Sequence, residues 1–207
     1  MFAIFLSVLA GYVLGSVPFG LLVSRMKGLD IRQHGSGNIG ATNVWRVCGW
    51  RYGLPVFVLD VLKGAASVLV ARWIAIRFNG DPAWTATAAA TACILGHSFP
   101  IWLRFKGGKG VATSLGVLFG LMPMVSLGVL LLWAVIFKAS GYVSLASIVA
   151  ALALPLLAGG AQYAGWGYGW PCVGFAFIAA LLVLVRHRGN IQRLRSGTES
   201  RFGKKKS

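Results

Sequence analysis

Three polar segments interrupt an otherwise apolar chain, and each pairs glycines with cationic or hydroxyl side chains. The first, residues 34–46, reads HGSGNIGATNVWR. Glycines such as Gly35 and Gly37 permit positive φ and close approach of backbone to a ligand. Ser36, Asn38, Thr42 and Asn43 add hydroxyls and amides, and Arg46 adds a planar fork suited to phosphate. So many hydrogen-bonding groups without an acid describe a place for an anion or a polyol, where a plain turn would need only its glycines and asparagines.

The second segment, residues 96–113, reads GHSFPIWLRFKGGKGVAT. Gly107, Gly108 and Gly110 surround Lys109, and an apolar run follows. A glycine-rich loop entering a helix N-terminus offers free N–H groups and the positive end of the helix dipole. Lys109 supplies a point charge, and Thr113 a hydroxyl one turn in. The nucleotide-binding pattern G-x-x-x-x-G-K-[ST] is not met, because Gly110 follows Lys109, so ATP is not expected.

The third segment, residues 186–202, reads RHRGNIQRLRSGTESRF. Its first arginines stand where the last apolar run ends, a common place for headgroup anchors. His187 and Asn190 are three apart and share a face if a helix continues through Gly189, a poor helix former. Glu199 is the one acid in this basic tail, and ion pairing is its expected role.

The elements that must position these groups are membrane helices. Of 207 residues, 57% are apolar and 12% charged, about half the charge of an ordinary soluble domain. Apolar runs cover residues 2–24, 53–78, 84–103, 111–137, 141–158 and 170–185. Spanning backbone must satisfy its own hydrogen bonds, so the expected class is all-α, a single polytopic membrane domain over residues 1–207. The first run lacks the basic lead of a cleaved signal peptide and is expected to remain as the first helix. Asp60 and Lys63, spaced i, i+3 inside the second run, are expected to form a structural pair that neutralises itself. Cys48, Cys93 and Cys172 form no CxxC and are expected as buried, inert thiols.

Twenty Lys and Arg face four acids, a net charge of +16. The basic residues are pinned between apolar runs, which argues against nucleic acid and for anionic headgroups or an anionic substrate. They concentrate at residues 25–51, at 104–109 and in the tail from Arg186 through Lys204, Lys205 and Lys206. By the positive-inside rule these three regions are cytoplasmic and the N-terminus is outside. Arg72 and Arg77, near the outer end of the second run, go against the rule. Six crossings would leave the tail outside. A break at Met122 and Pro123 divides the run 111–137 into two crossings of about 20 Å each, which gives seven helices and returns the tail to the cytoplasm. Residues 159–170 (GGAQYAGWGYGW) then join the last two spans outside as an interfacial aromatic belt.

Taken together, the three segments resemble the bacterial acyl-phosphate:glycerol-3-phosphate acyltransferases, the PlsY family. The likeness covers nearly the whole chain, with GSGNIGATNVWR, GHSFPIWLRFKGGKGVAT and RHRGNIQRLRSGTESRFG in the family's order and spacing. It implies a seven-helix enzyme of the bacterial inner membrane with its site facing the cytoplasm. It implies transfer of a fatty acyl group from acyl phosphate to the 1-hydroxyl of sn-glycerol 3-phosphate, giving lysophosphatidic acid and phosphate. Family roles fall on Ser36 and Arg46, on the loop around Lys109, and on His187, Asn190 and Glu199. Residues 107–113 are then expected to take acyl phosphate, with Ser36, Arg46, Lys109, His187 and Asn190 on glycerol 3-phosphate. The backbone and polar groups of Gly35, Gly37, Asn38, Thr42 and Asn43 complete the binding set. His187 is a candidate general base; the departing phosphate is the alternative acceptor of the hydroxyl proton. No metal or cofactor is expected. Membrane lipids, and a soluble enzyme that supplies acyl phosphate, are the expected partners. An acyl-CoA-dependent acyltransferase would resemble its own class in an HxxxxD pair, which His34, His97 and His187 all lack. A transporter would place its charges at the midplane. Apart from the resemblance, two phosphate-suited loops would equally fit a phosphotransferase.

Overall fold

The computed structural model describes residues 1–203; Lys204, Lys205 and Lys206 of the expected cytoplasmic tail lie outside the described residues. Among those described there is no strand. The ten α-helices are α1 (Phe2–Ser16), α2 (Phe19–Arg25), α3 (Ala41–Cys48), α4 (Trp50–Arg77), α5 (Pro82–Ser98), α6 (Val111–Leu121), α7 (Pro123–Ser140), α8 (Val143–Tyr163), α9 (Trp170–Arg186) and α10 (Arg188–Arg195). They form two compact units, Met1–Leu121 and the chain from Met122 onward.

Five segments are long and apolar enough to cross a bilayer: Phe2–Arg25, Trp50–Arg77, Pro82–Leu103, Pro123–Ser140 and Val143–Tyr163. Trp170–Arg186 taken with Arg188–Arg195 makes a sixth, and Val111–Leu121 is a shorter apolar helix.

Local chemistry sets the boundaries. Pro18 removes a backbone donor and splits the first apolar run into α1 and α2, a break that an unbroken row of apolar residues hides. Asp81 caps α5, its carboxylate accepting the amides of Ala83 at 2.9 Å and Trp84 at 3.0 Å, with Pro82 in the first turn. The expected break at Met122 and Pro123 is present, with Met122 in a non-helical conformation (φ −140°, ψ 71°). Its halves are unequal rather than matched: 11 residues in α6 and 18 in α7, about 16 and 27 Å. Gly141, at φ 74°, ends α7. The link expected at 159–170 is shorter, because α8 continues to Tyr163 with Pro155 inside it.

In the first unit, small residues let helices approach closely. A Cβ on Gly11 or Gly15 of α1 would strike the α5 backbone at Ala89 or Cys93, and one on Gly64 of α4 the Thr113 carbonyl of α6. A separate apolar cluster of Leu21, Ile31, Ile39, Val44, Cys48 and Val56 seats the chain around the first polar segment, with Leu103 packed against it.

Candidate active site

The first polar segment is a loop over 34–40 running into α3, so its second half, Ala41 to Arg46, is helical and not loop. Asn43, buried in the first turn of α3, organises the loop. Its Oδ1 accepts the Ser36 amide at 2.9 Å, and its Nδ2 donates to the carbonyls of His34 at 3.0 Å and Asn38 at 2.9 Å. A substrate contact by Asn43 would compete with these bonds. Asn38 Oδ1 accepts the Gly40 amide at 2.8 Å. Gly35 (φ 62°) and Gly37 (φ 70°) take the left-handed turns between them, as positive φ requires. Ser36 and Arg46 are left exposed, and Thr42 half-buried. Just upstream, the Arg32 guanidinium hydrogen-bonds Asp30 and holds its carboxyl down at about 2.

The second segment is folded back onto the end of α5. The Gly107 amide donates to the Ser98 carbonyl at 3.1 Å, and the Gly108 amide to the His97 carbonyl at 3.0 Å. These bonds satisfy carbonyls that the helix terminus leaves open. They also correct an expectation: the Gly107 and Gly108 N–H groups hold the loop in place and are not free for an anion. The amides of the first α6 turn, from Val111, remain without helical partners by the geometry of a helix N-terminus. Lys109 is half-buried between buried Gly108 and Gly110, the latter at φ 80°. Arg104 (φ 51°) and Phe105 (φ 63°) are consecutive left-handed non-glycine residues, each costing about 1–2 kcal/mol, and nothing in their sequence signals it. Such strain concentrates where a loop must keep one shape.

Beneath this loop lies a buried cluster. Lys63 Nζ is 2.7 Å from Asp60 Oδ1, so the i, i+3 pair is formed, and 3.0 Å from His97 Nδ1. Thr113 Oγ1 reaches the same nitrogen at 3.1 Å. His97 is the functional candidate that the sequence concealed. It stands in the second motif, but its partners are some 34 and 16 residues away, a proximity that only helix packing creates.

The third segment belongs to the second unit. The helix does not continue straight through it: α9 and α10 meet at a bend of 59°, with buried His187 at the joint. His187 Nδ1 lies 2.8 Å from the Val183 carbonyl. A carbonyl only accepts, so Nδ1 carries the proton and, in the neutral ring, Nε2 carries the lone pair. Glu199 accepts from Ser144 Oγ at 2.7 Å, Asn190 Nδ2 at 2.6 Å and Arg193 Nε at 2.7 Å. Burial pushes its pKa up, but these three donors outweigh it and hold the carboxyl below its ordinary value. Glu199 thereby fixes Asn190 at the bend.

A sequence profile of the glycerol-3-phosphate acyltransferase family matches residues 5–197. The glycerol-3-phosphate acyltransferase of Geobacter sulfurreducens is 48% identical over 92% of this chain and 93% of its own. That of Aquifex aeolicus is 45% identical over 98% of this chain and 100% of its own. The crystal structure of PlsY (YgiH), an integral membrane glycerol 3-phosphate acyltransferase, in its glycerol 3-phosphate form superposes with a TM-score of 0.85. It is 42% identical and covers 97% of this chain and 96% of that one. The lysophosphatidic acid form of the same protein superposes with a TM-score of 0.83 at the same identity. With its all-helical apolar spans and its matched length, the chain belongs to the glycerol-3-phosphate acyltransferase family.

Proposed function

We propose that this chain transfers a fatty acyl group from acyl phosphate to the 1-hydroxyl of sn-glycerol 3-phosphate. The products are 1-acyl-sn-glycerol 3-phosphate and phosphate, and the step is the first acylation of phospholipid biosynthesis. The observation that carries the reading is the likeness, at 42% identity over 97% of the chain, to a PlsY structure in its glycerol 3-phosphate form. The residue chemistry supports it, since both substrates carry phosphate and the polar segments are rich in cations and nearly free of acids.

The 1-hydroxyl oxygen bonds to the acyl carbon, and the bond from that carbon to the phosphate oxygen breaks. Phosphate leaves with the electron pair, and the hydroxyl proton passes to His187 Nε2 or to the departing phosphate. Acyl phosphate is an activated mixed anhydride, so no covalent enzyme intermediate is required. The task of the chain is to hold two anions together against their repulsion. Residues 107–113 hold the donor phosphate, using Lys109, Thr113 Oγ1 and the amides that open α6. Ser36, Arg46, Lys109, His187 and Asn190 hold glycerol 3-phosphate, and the acyl tail lies between helices or in lipid. The chain acts as a single enzyme domain. It sits in the bacterial inner membrane with seven crossings, its N-terminus outside and its site open to the cytoplasm, where a soluble enzyme supplies acyl phosphate.

The test is to give purified protein palmitoyl phosphate and glycerol 3-phosphate, with palmitoyl-CoA as a parallel donor. Lysophosphatidic acid and phosphate are expected from palmitoyl phosphate alone. Product from palmitoyl-CoA alone would refute the donor. No product from either donor, in folded protein, would refute the enzyme reading.

A further inference from the structure

The substrate roles proposed above use Thr113 but leave Asp60, Lys63 and His97, the rest of the cluster beneath the glycine-rich loop, without a task. Asp60 and Lys63 of α4, His97 on the last turn of α5 and Thr113 on the first turn of α6 are 2%, 5%, 5% and 0% exposed. Ionised groups at such depth are costly, and they persist where they are paired and used. A self-contained Asp60–Lys63 pair would account for two of these groups and leave the histidine unexplained.

The proton positions follow from the distances. An ammonium has three N–H donors and no acceptor. Lys63 Nζ ion-pairs with Asp60 Oδ1 at 2.7 Å, an oxygen that no hydrogen bond reaches, donates to the Val17 carbonyl at 2.9 Å, and lies 3.0 Å from His97 Nδ1. His97 Nδ1 must therefore present a lone pair to Lys63. Two arrangements with a protonated Nδ1 fail on geometry: donation to Asp60 would span 3.6 Å, and donation to Thr113 Oγ1 at 3.1 Å would set an N–H against the ammonium at 3.0 Å. A neutral ring with a lone pair at Nδ1 carries its proton at Nε2. That edge of the ring faces the glycine-rich loop, since a Cβ on Gly108 would overlap His97 Nε2 and the carbons on either side of it. The backbone of the same residue accepts the Gly108 amide, and the next carbonyl accepts that of Gly107.

We infer that His97 is a positioning residue for the transfer. Lys63, anchored on Asp60 and on the Val17 carbonyl at the α1–α2 break, locks its ring as the Nε2–H tautomer. Ring and carbonyl together then set the shape of residues 107–110 and the placement of Lys109. Gly108 is glycine because the ring occupies the space of its side chain. Four helices are tied through one ammonium to the loop, so the Asp60–Lys63 pair acts on the site at a distance and not only on stability. The kinetic part of this inference rests on the reading of that loop as the seat of the donor phosphate.

The test uses the full chain in detergent, labelled with [15N]histidine. Only three histidines are present, and His97→Gln identifies the resonances of His97. The wild type should show an unprotonated Nδ1 and a protonated Nε2 at His97. The single tautomer should be lost in Lys63→Met, and also in the double variant Asp60→Asn with Lys63→Met, which leaves no unpaired buried charge if the single change misfolds. Protonated Nδ1 in the wild type, or a tautomer indifferent to Lys63, would overturn the inference. In kinetics, His97→Gln places an amide N–H near the Nε2 position, whereas His97→Asn is too short to reach the loop. The KM for the donor should rise about ten- to a hundredfold in His97→Asn and less in His97→Gln, with a smaller rise for glycerol 3-phosphate, for which Lys109 is one of five proposed ligands. Equal losses on both substrates, or a lowered melting temperature with unchanged kinetics, would make His97 merely structural. The tautomer measurement uses no donor, so a wild type inert with palmitoyl phosphate refutes the donor reading while the spectrum still decides the lock.

Discussion

Hydrogen bonds that can run in only one direction fix the protons on two buried histidines, and they do so in opposite senses. Lys63 takes the lone pair of His97 Nδ1, whereas the Val183 carbonyl takes the proton of His187 Nδ1. In the neutral ring the Nε2 of His187 is then the basic nitrogen, the condition a general base must meet, at the bend between α9 and α10. His187→Ala is expected to lower kcat by about 10²–10⁴ with folding retained, measured as phosphate release at saturating substrates. A loss of less than about tenfold would assign the hydroxyl proton to the departing phosphate and leave His187 as a substrate ligand. Glu199 belongs to the same scale. Its chemistry was legible as the one acid among arginines, and Arg193 does pair with it. Its bonds to Ser144 and Asn190 were not legible, because Ser144 lies 55 residues away and carries no motif.

At the scale of elements, apolar runs announce helices because a spanning backbone has few other ways to satisfy itself. The break at Pro123 was legible from length together with a proline. The break at Pro18 was not, because α1 and α2 joined are no longer than one ordinary span. Also hidden was the role of glycines inside the apolar runs, which composition treats as neutral filler. Gly64 and Gly116 are where α4 and α6 meet backbone to backbone: a side chain on Gly116 would enter the Val61 carbonyl, and one on Gly64 the Thr113 carbonyl. This contact holds the start of α6, and with it Thr113 and the glycine-rich loop, against the Asp60–Lys63 turn. Gly116→Val is therefore expected to cost about 1–3 kcal/mol through overpacking and to reduce activity beyond its effect on melting temperature. Gly160 of α8 has open space where a Cβ would lie. Gly160→Ala should leave activity unchanged and keep or raise the melting temperature, by helix propensity of up to about 1 kcal/mol. Thermal unfolding in detergent compares the pair, and a Gly116→Val protein as stable as the wild type would refute the close-packing account.

At the scale of the whole molecule, the proposed topology assigns each helix end to a compartment, and the contacts within each unit say which ends lie together. In the first, Phe2 stacks edge-on against Phe78 at 5.2 Å, so the N-terminus lies beside the α4–α5 turn. At the other end of the same helices, Trp102 Nε1 donates to Ser16 Oγ at 2.8 Å, and Tyr12 donates to the Phe99 carbonyl at 2.8 Å. The glycine-rich loop is therefore at the end opposite the N-terminus. In the second unit, the tail folds onto the α7–α8 turn: Glu199 meets Ser144, the Phe202 amide donates to the Gly141 carbonyl at 2.9 Å, and Arg201 lies over the Tyr142 ring. The aromatic link after Tyr163 is at the far end of α8, about 31 Å away along its 21 residues. These pairings hold for either absolute orientation; the proposed outside N-terminus and cytoplasmic tail also need α6 to cross. At about 16 Å that helix needs a thinned bilayer or tilted neighbours. Cysteines introduced one at a time into a chain lacking Cys48, Cys93 and Cys172 decide it, read by a membrane-impermeant maleimide on intact cells. Arg77→Cys, Met124→Cys and Ala164→Cys should label from outside, while Gln33→Cys and Ser196→Cys should label only after permeabilisation. Labelling of Ser196→Cys in intact cells with Met124→Cys protected would mean that α6 turns back within the membrane. Six crossings would then stand in place of seven, and the tail carrying His187 and Asn190 would open to the outside. That would leave them out of reach of a donor made in the cytoplasm, so the labelling pattern tests the proposed reaction as well as the topology.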